Sequence, residues 1–163
     1  MVAAVLGGVF VAGTFASCGD DNNGVSTGAA GTGGTSAGGP GGINATTFTM
    51  TMTGAQEVPP NSSTGTANVT VILNRNNGAV TVTGSFTGLG SNATVAHIHG
   101  PAAVGVVGPS LFPLNVPSAM SGSISGTGTM STVQMNDMLG GQTYVNIQSV
   151  NFPDGEIRAQ IVP

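Results

Sequence analysis

The sequence predicts an all-β, antiparallel fold with one short helix. Three observations carry that prediction. Apolar residues alternate with Thr, Ser and Asn over several stretches, the period of a sheet with one buried face. Turn formers punctuate those stretches, above all at Asn77-Gly78 and Phe152-Pro153-Asp154-Gly155. Charged helix formers are scarce: the 163 residues include two Arg, no Lys and six acids.

Taken in order, the chain begins with 14 small and apolar residues, Val2 to Phe15. That run is too short to span a bilayer and has the length of a signal-peptide core. It leads into Phe15-Ala16-Ser17-Cys18, small residues before a lone cysteine. Residues 1–18 therefore read as a signal peptide with a lipobox-like end, and Cys18 as a lipidated N-terminus after cleavage. Phe15 stands where Leu is usual. The single Cys excludes an internal disulfide and a multi-cysteine zinc site. Residues 19–42 contain ten Gly among Ser and Thr, a flexible linker. As a coil it reaches roughly 25–30 Å. These features predict an exported protein, lipid-anchored in a membrane and facing the periplasm or cell surface, or secreted.

The domain is expected over residues 43–163, with a formal charge of −2 from two Arg against Glu57, Asp137, Asp154 and Glu156. Phe48, Met50 and Met52 alternate with Thr47, Thr49, Thr51 and Thr53; Val69, Val71 and Leu73 alternate with Asn68, Thr70 and Ile72; Val80 and Val82 alternate with Thr81 and Thr83. A two-residue turn at Asn77-Gly78 pairs Leu73 with Val82 and Val69 with Phe86, which puts the apolar side chains on one face. Residues 88–94 and 101–121 read as loops. Ser131-Thr132 can cap a helix of about two turns carrying Val133, Met135, Met138 and Leu139, ended by Gly140-Gly141. Val145 and Ile147, then Ile157, Ala159 and Ile161, form a last hairpin around Phe152–Gly155, with Gln148 opposite Glu156 or Arg158. The methionines read as core filler.

Four short motifs, in order along the domain, resemble one known family. Thr53-Gly54-Ala55-Gln56-Glu57-Val58-Pro59-Pro60 resembles the opening of the CHRD (chordin-like) domain. Ala96-His97-Ile98-His99-Gly100-Pro101-Ala102 resembles its central signature. Tyr144-Val145-Asn146-Ile147-Gln148-Ser149 and Gly155-Glu156-Ile157-Arg158-Ala159-Gln160 resemble its closing pair. The resemblance implies an immunoglobulin-like antiparallel β-sandwich in extracellular proteins, with no agreed activity. It also carries a departure: the family usually has His where Gln148 stands and Thr where Ser149 stands. Three such histidines would suit copper, and this chain keeps two.

His97 and His99 are the only histidines, and strand geometry puts both on one face. With Ile98, Val145, Ile147 and Ile157 facing the core, His97, His99, Gln148, Glu156 and Arg158 share the other side. Three readings stay open. His97 and His99 could bind copper or zinc, with Gln148, Glu156 or water completing the shell. The patch could recognise a protein or matrix ligand through hydrogen bonds. Or the side chains could tie strands and loops together. No nucleophile elbow, paired catalytic carboxylates or phosphate-cradling loop is evident, which predicts a non-enzyme. Low charge excludes nucleic-acid binding. The expected role is a cell-surface or periplasmic binding or structural module; the alternative is a metal-binding or copper-linked redox protein.

Overall fold

Alternating stretches become strands because pairing satisfies their backbone while every second side chain enters one core. The computed structural model describes residues 44–163; the expected signal peptide, Cys18 and the Gly-rich linker lie outside them. Eight strands follow: β1 (Ala45–Thr53), β2 (Thr66–Asn74), β3 (Ala79–Thr87), β4 (Ala93–His99), β5 (Ser110–Leu114), β6 (Gly122–Thr129), β7 (Thr143–Ser149) and β8 (Ile157–Ile161). One helix, α1 (Thr132–Leu139), joins β6 to β7, and a 3-10 turn spans Gly54–Gln56.

The strands form one antiparallel sheet in the order β5-β4-β7-β8-β1-β2-β3-β6. Its ends nearly meet. Asn115 and Ser125 exchange two backbone hydrogen bonds, of 2.7 and 3.1 Å. The expected sandwich is thus a flattened barrel of two four-stranded halves. The halves join at β1–β8, through the pair Thr53 and Arg158, and at the Asn115–Ser125 bridge. Between them lies a hydrophobic core, with Phe48, Met52, Val71 and Val82 from one half and Ile98, Val145, Ile147 and Ile157 from the other.

The β2–β3 register differs from the expected one by two residues. Leu73 pairs with Val80 and Val71 with Val82. The turn is wider than Asn77-Gly78 alone: the Gly78 N–H donates to the Asn74 carbonyl at 2.8 Å. Side-chain oxygens of Asn74 and Asn77 accept from the N–H groups of Asn76 and Ala79, and Gly78 takes φ 73°. A shift of two keeps every side chain on its face, so the hydrophobic pattern could not distinguish the two registers.

Two strands are silent in the sequence. β5 lies inside the stretch read as a loop and contains Pro113, tolerated because β5 is at the end of the sheet order. β6 alternates three glycines and a single apolar residue, Ile124, with Ser and Thr. A side chain at Gly128 would press on the Phe112 ring of β5, so glycine lets the two end strands approach. The helix forms as expected. Ser131 caps it in a reciprocal pair with Gln134, and Met138 is fully buried.

Candidate functional site

The outer face of β4-β7-β8 carries the polar residues, as the alternation requires. It is not an open patch. The loop between β4 and β5 leaves His99, folds back over β7 and β8, and returns at Ser110. The segment after β1 covers the same face from the other side. Beneath them Tyr144, Asn146, Glu156 and Arg158 are buried, and His99 is nearly so. The expectation of one outward patch is corrected to a roofed polar layer.

The side chains of that layer hold the roof. Arg158 Nη2 donates to the Val106 carbonyl at 3.0 Å and to Gln160 Oε1 at 2.9 Å. Gln160 Nε2 donates to the carbonyls of Ala102 and Gly141, both at 2.8 Å. The Gly108 N–H donates to the Tyr144 hydroxyl oxygen at 3.2 Å. Tyr144 stands between strands: its ring stacks on His99 with centroids 4.7 Å apart, and the Arg158 guanidinium lies 3.6 Å from its centroid. Burial pulls the Arg158 guanidinium below its ordinary value, opposed by Tyr144 and Glu57.

His99 is fully engaged. Its Nδ1 is 2.9 Å from the Gly108 carbonyl oxygen, so that nitrogen must donate, and its Nε2 is 3.1 Å from Asn146 Oδ1. His97 is half-buried, edge-on to His99 with centroids 5.5 Å apart. Its Nδ1 is buried without a partner. Burial, then the neighbouring His99, holds His97 below the usual histidine range and favours the neutral ring.

This donor set does not fit a metal centre. Among the described residues no cluster of three or more His, Cys, Asp or Glu could hold an ion. A ligating His99 would have to surrender its Asn146 contact, because Nδ1 faces a carbonyl. Gln148 lies at the far end of β7 with no side-chain hydrogen bond, in line with Glu156 by the register of Ile147 with Ile157. Glu156 neither joins the histidines nor pairs with Arg158. Its Oε1 accepts from the Ser63 hydroxyl at 2.6 Å and the Gly90 N–H at 2.5 Å.

The charged residue that faces Arg158 is one the sequence reading gave no role: Glu57. It is 6% exposed and its Oε1 has no hydrogen-bond partner. Burial pushes its carboxyl up to about 7, against the opposing pull of Arg158 and the Val58 N–H. Its carboxyl rests against Gly155, whose φ of 143° and lack of a Cβ leave it room. Two clefts meet at Glu57. One, of about 230 Å³, runs between Val58–Asn61 and Asn151–Gly155. The other, of about 330 Å³, is walled by Ala55, Val58, Pro60 and Val104 above Arg158 and Gln160. The only signal for Glu57 was its place in the opening motif.

No curated protein and no solved structure matches the chain. The family model of the CHRD domain matches residues 48–161, which take in all eight strands but for the first residues of β1. With that match over most of its length, the chain belongs to the CHRD domain family.

Proposed function

We propose that this CHRD domain is a non-enzymatic binding or structural module working outside the cytoplasm, displayed from a membrane by a lipidated Cys18 and the Gly-rich tether. The observation that carries this reading is the use to which the polar layer is put. Arg158, Gln160, Tyr144 and His99 all bond to the loop that covers them. Side chains so committed make a rigid scaffold. A nucleophile or a metal would need them free. The clefts at Glu57 lie past the C-terminal end of β1, and residue 44 at its other end. Nine strand residues separate those ends by roughly 30 Å. The clefts therefore lie at the opposite end of β1 from residue 44. The partner is a protein or matrix ligand.

The anchor is tested on protein expressed from its own start in a lipoprotein-processing bacterium. The mature protein is expected to begin at Cys18, with the mass of a diacylglyceryl or triacyl group added. Cys18→Ser should abolish that mass and release the protein from the membrane fraction. An unmodified Cys18 would remove the anchor from the reading.

A copper or zinc protein built on His97 and His99 is the second reading, favoured by the unpartnered His97 Nδ1. His99 counts against it, since both of its ring nitrogens face oxygen. Saturating Cu²⁺ or Zn²⁺ is expected to move the melting temperature by less than about 1 °C, because a ligand stabilises only as far as it binds the folded state. A larger rise that vanishes in the His97→Ala, His99→Ala double variant would establish the metal reading instead.

A further inference from the structure

The larger cleft has the make-up of a small-ligand site: apolar walls, a few convergent polar groups, and a volume of about 330 Å³. Its walls are Ala55, Val58 and Pro60 on one side and Val104 on the other, with Val104 73% exposed. Val106 and Val107, further along the same loop, are 49% and 64% exposed. Soluble domains seldom leave such residues together without a use.

The floor decides the ligand's charge. Arg158 is already occupied, by the Val106 carbonyl, by Gln160 and by the Tyr144 ring. Glu57 is not. No ion pair joins it to Arg158, and its Oε1 has no partner. Its other charged neighbour is Asp154, which lines the smaller cleft beside it and repels an anion further. The loop 102–108 brings no charge at all. The domain as a whole is acidic.

We infer that this cleft binds a primary ammonium on a short aliphatic stem, with the ammonium set against Glu57 and the stem between Pro60 and Val104. The ammonium supplies a donor and a second positive charge to a carboxyl that Arg158 attracts without an ion pair, and the stem covers apolar wall. Such a group is the side chain of a partner protein's lysine or a free alkylamine. The inference rests on reading the domain as a binding module; it does not depend on the lipid anchor, so failure of one leaves the other standing.

The test uses the full chain, isotope-labelled, with n-butylammonium as probe and backbone amide shifts as readout. Saturable shifts are expected at Ala55, Val58, Val104 and Gly105 at pH 8.5. Binding should weaken about tenfold or more at pH 5.5, where the Glu57 carboxyl holds its proton. n-Butanol and butyrate should not saturate. Glu57→Gln should abolish the shifts, and so should Ala55→Trp, whose ring would occupy the cleft from an exposed position. A blocked tripeptide with a central lysine distinguishes the sources: tighter binding than butylammonium points to a partner's lysine, and equal or weaker binding to a free amine. The inference falls if folded protein shows no saturable shift at pH 8.5. It also falls if butanol or butyrate binds as well, or if Glu57→Gln leaves the shifts unchanged.

Discussion

Replacing Arg158 with alanine is expected to destabilise the domain by about 3–4 kcal/mol, a fall in melting temperature on the order of 10–15 °C. The residue is 2% exposed, so its contacts are made almost wholly out of water. Its removal leaves the Val106 carbonyl and Gln160 Oε1 without their donor, uncovers one face of Tyr144, and takes away the cation nearest to Glu57. Each orphaned group costs up to about 1–3 kcal/mol before relaxation, with the Val106 carbonyl, on a half-exposed residue, at the low end. Arg158→Lys should recover only part of the loss, because a single ammonium cannot both fork between two acceptors and lie flat on a ring. The same change should loosen the loop over residues 102–108 and speed its proteolysis. Gln148→Ala makes the contrast. Gln148 shares the face with Arg158 but bonds to nothing there, and its loss should stay within about 0.5 kcal/mol. Thermal unfolding of the three variants checks the set. Equal melting of Arg158→Ala and the parent would mean that the loop is held by something else.

That contrast also marks the reach of the sequence. Period-2 alternation told which residues of β1, β2, β3, β7 and β8 enter the core, because one buried face leaves that imprint. It also put His97, His99, Glu156 and Arg158 on the opposite face correctly. It could not tell that this face is covered. The covering loop, with Ala103, Val104, Gly105, Val106 and Val107, has no period and no charge, and it is held mostly by side chains 36 to 58 residues away, Tyr144, Arg158 and Gln160. β6 escaped because three of its four inward positions are glycine, leaving Ile124 alone to mark the buried face: glycine allows close approach to Phe112 and Leu114, which no hydrophobic pattern records. Glu57 escaped for a related reason. A carboxylate next to Val-Pro-Pro reads as a solvated turn until the chain folds Gly155 and Arg158 against it.

The second large effect follows from that burial. Glu57 titrates near 7 in the folded protein, against an ordinary value of 4.5. The folded state therefore holds the proton more tightly than the unfolded chain. Between those two values the unfolded chain has lost the proton and the folded state has kept it, so stability falls as pH rises. The group's full contribution is present below about 4.5 and is gone once pH has passed 7. The loss is roughly 2–3 kcal/mol, taking some solvent screening into account. His97 works in the opposite direction. Its folded value is depressed, so it adds stability as pH rises toward the usual histidine range and blurs the parent's profile. The difference between parent and Glu57→Gln isolates the carboxyl, since glutamine imitates the protonated acid at every pH. At pH 4 the two proteins should melt together. At pH 8.5 Glu57→Gln should melt higher, by about 5–10 °C. The parent at that pH has forced a charge to stay beside Gly155 with one oxygen unbonded, and the variant has not. A difference that stays flat from pH 4 to pH 8.5 would mean that the carboxyl finds a counter-charge or water in solution, and that its burial costs nothing.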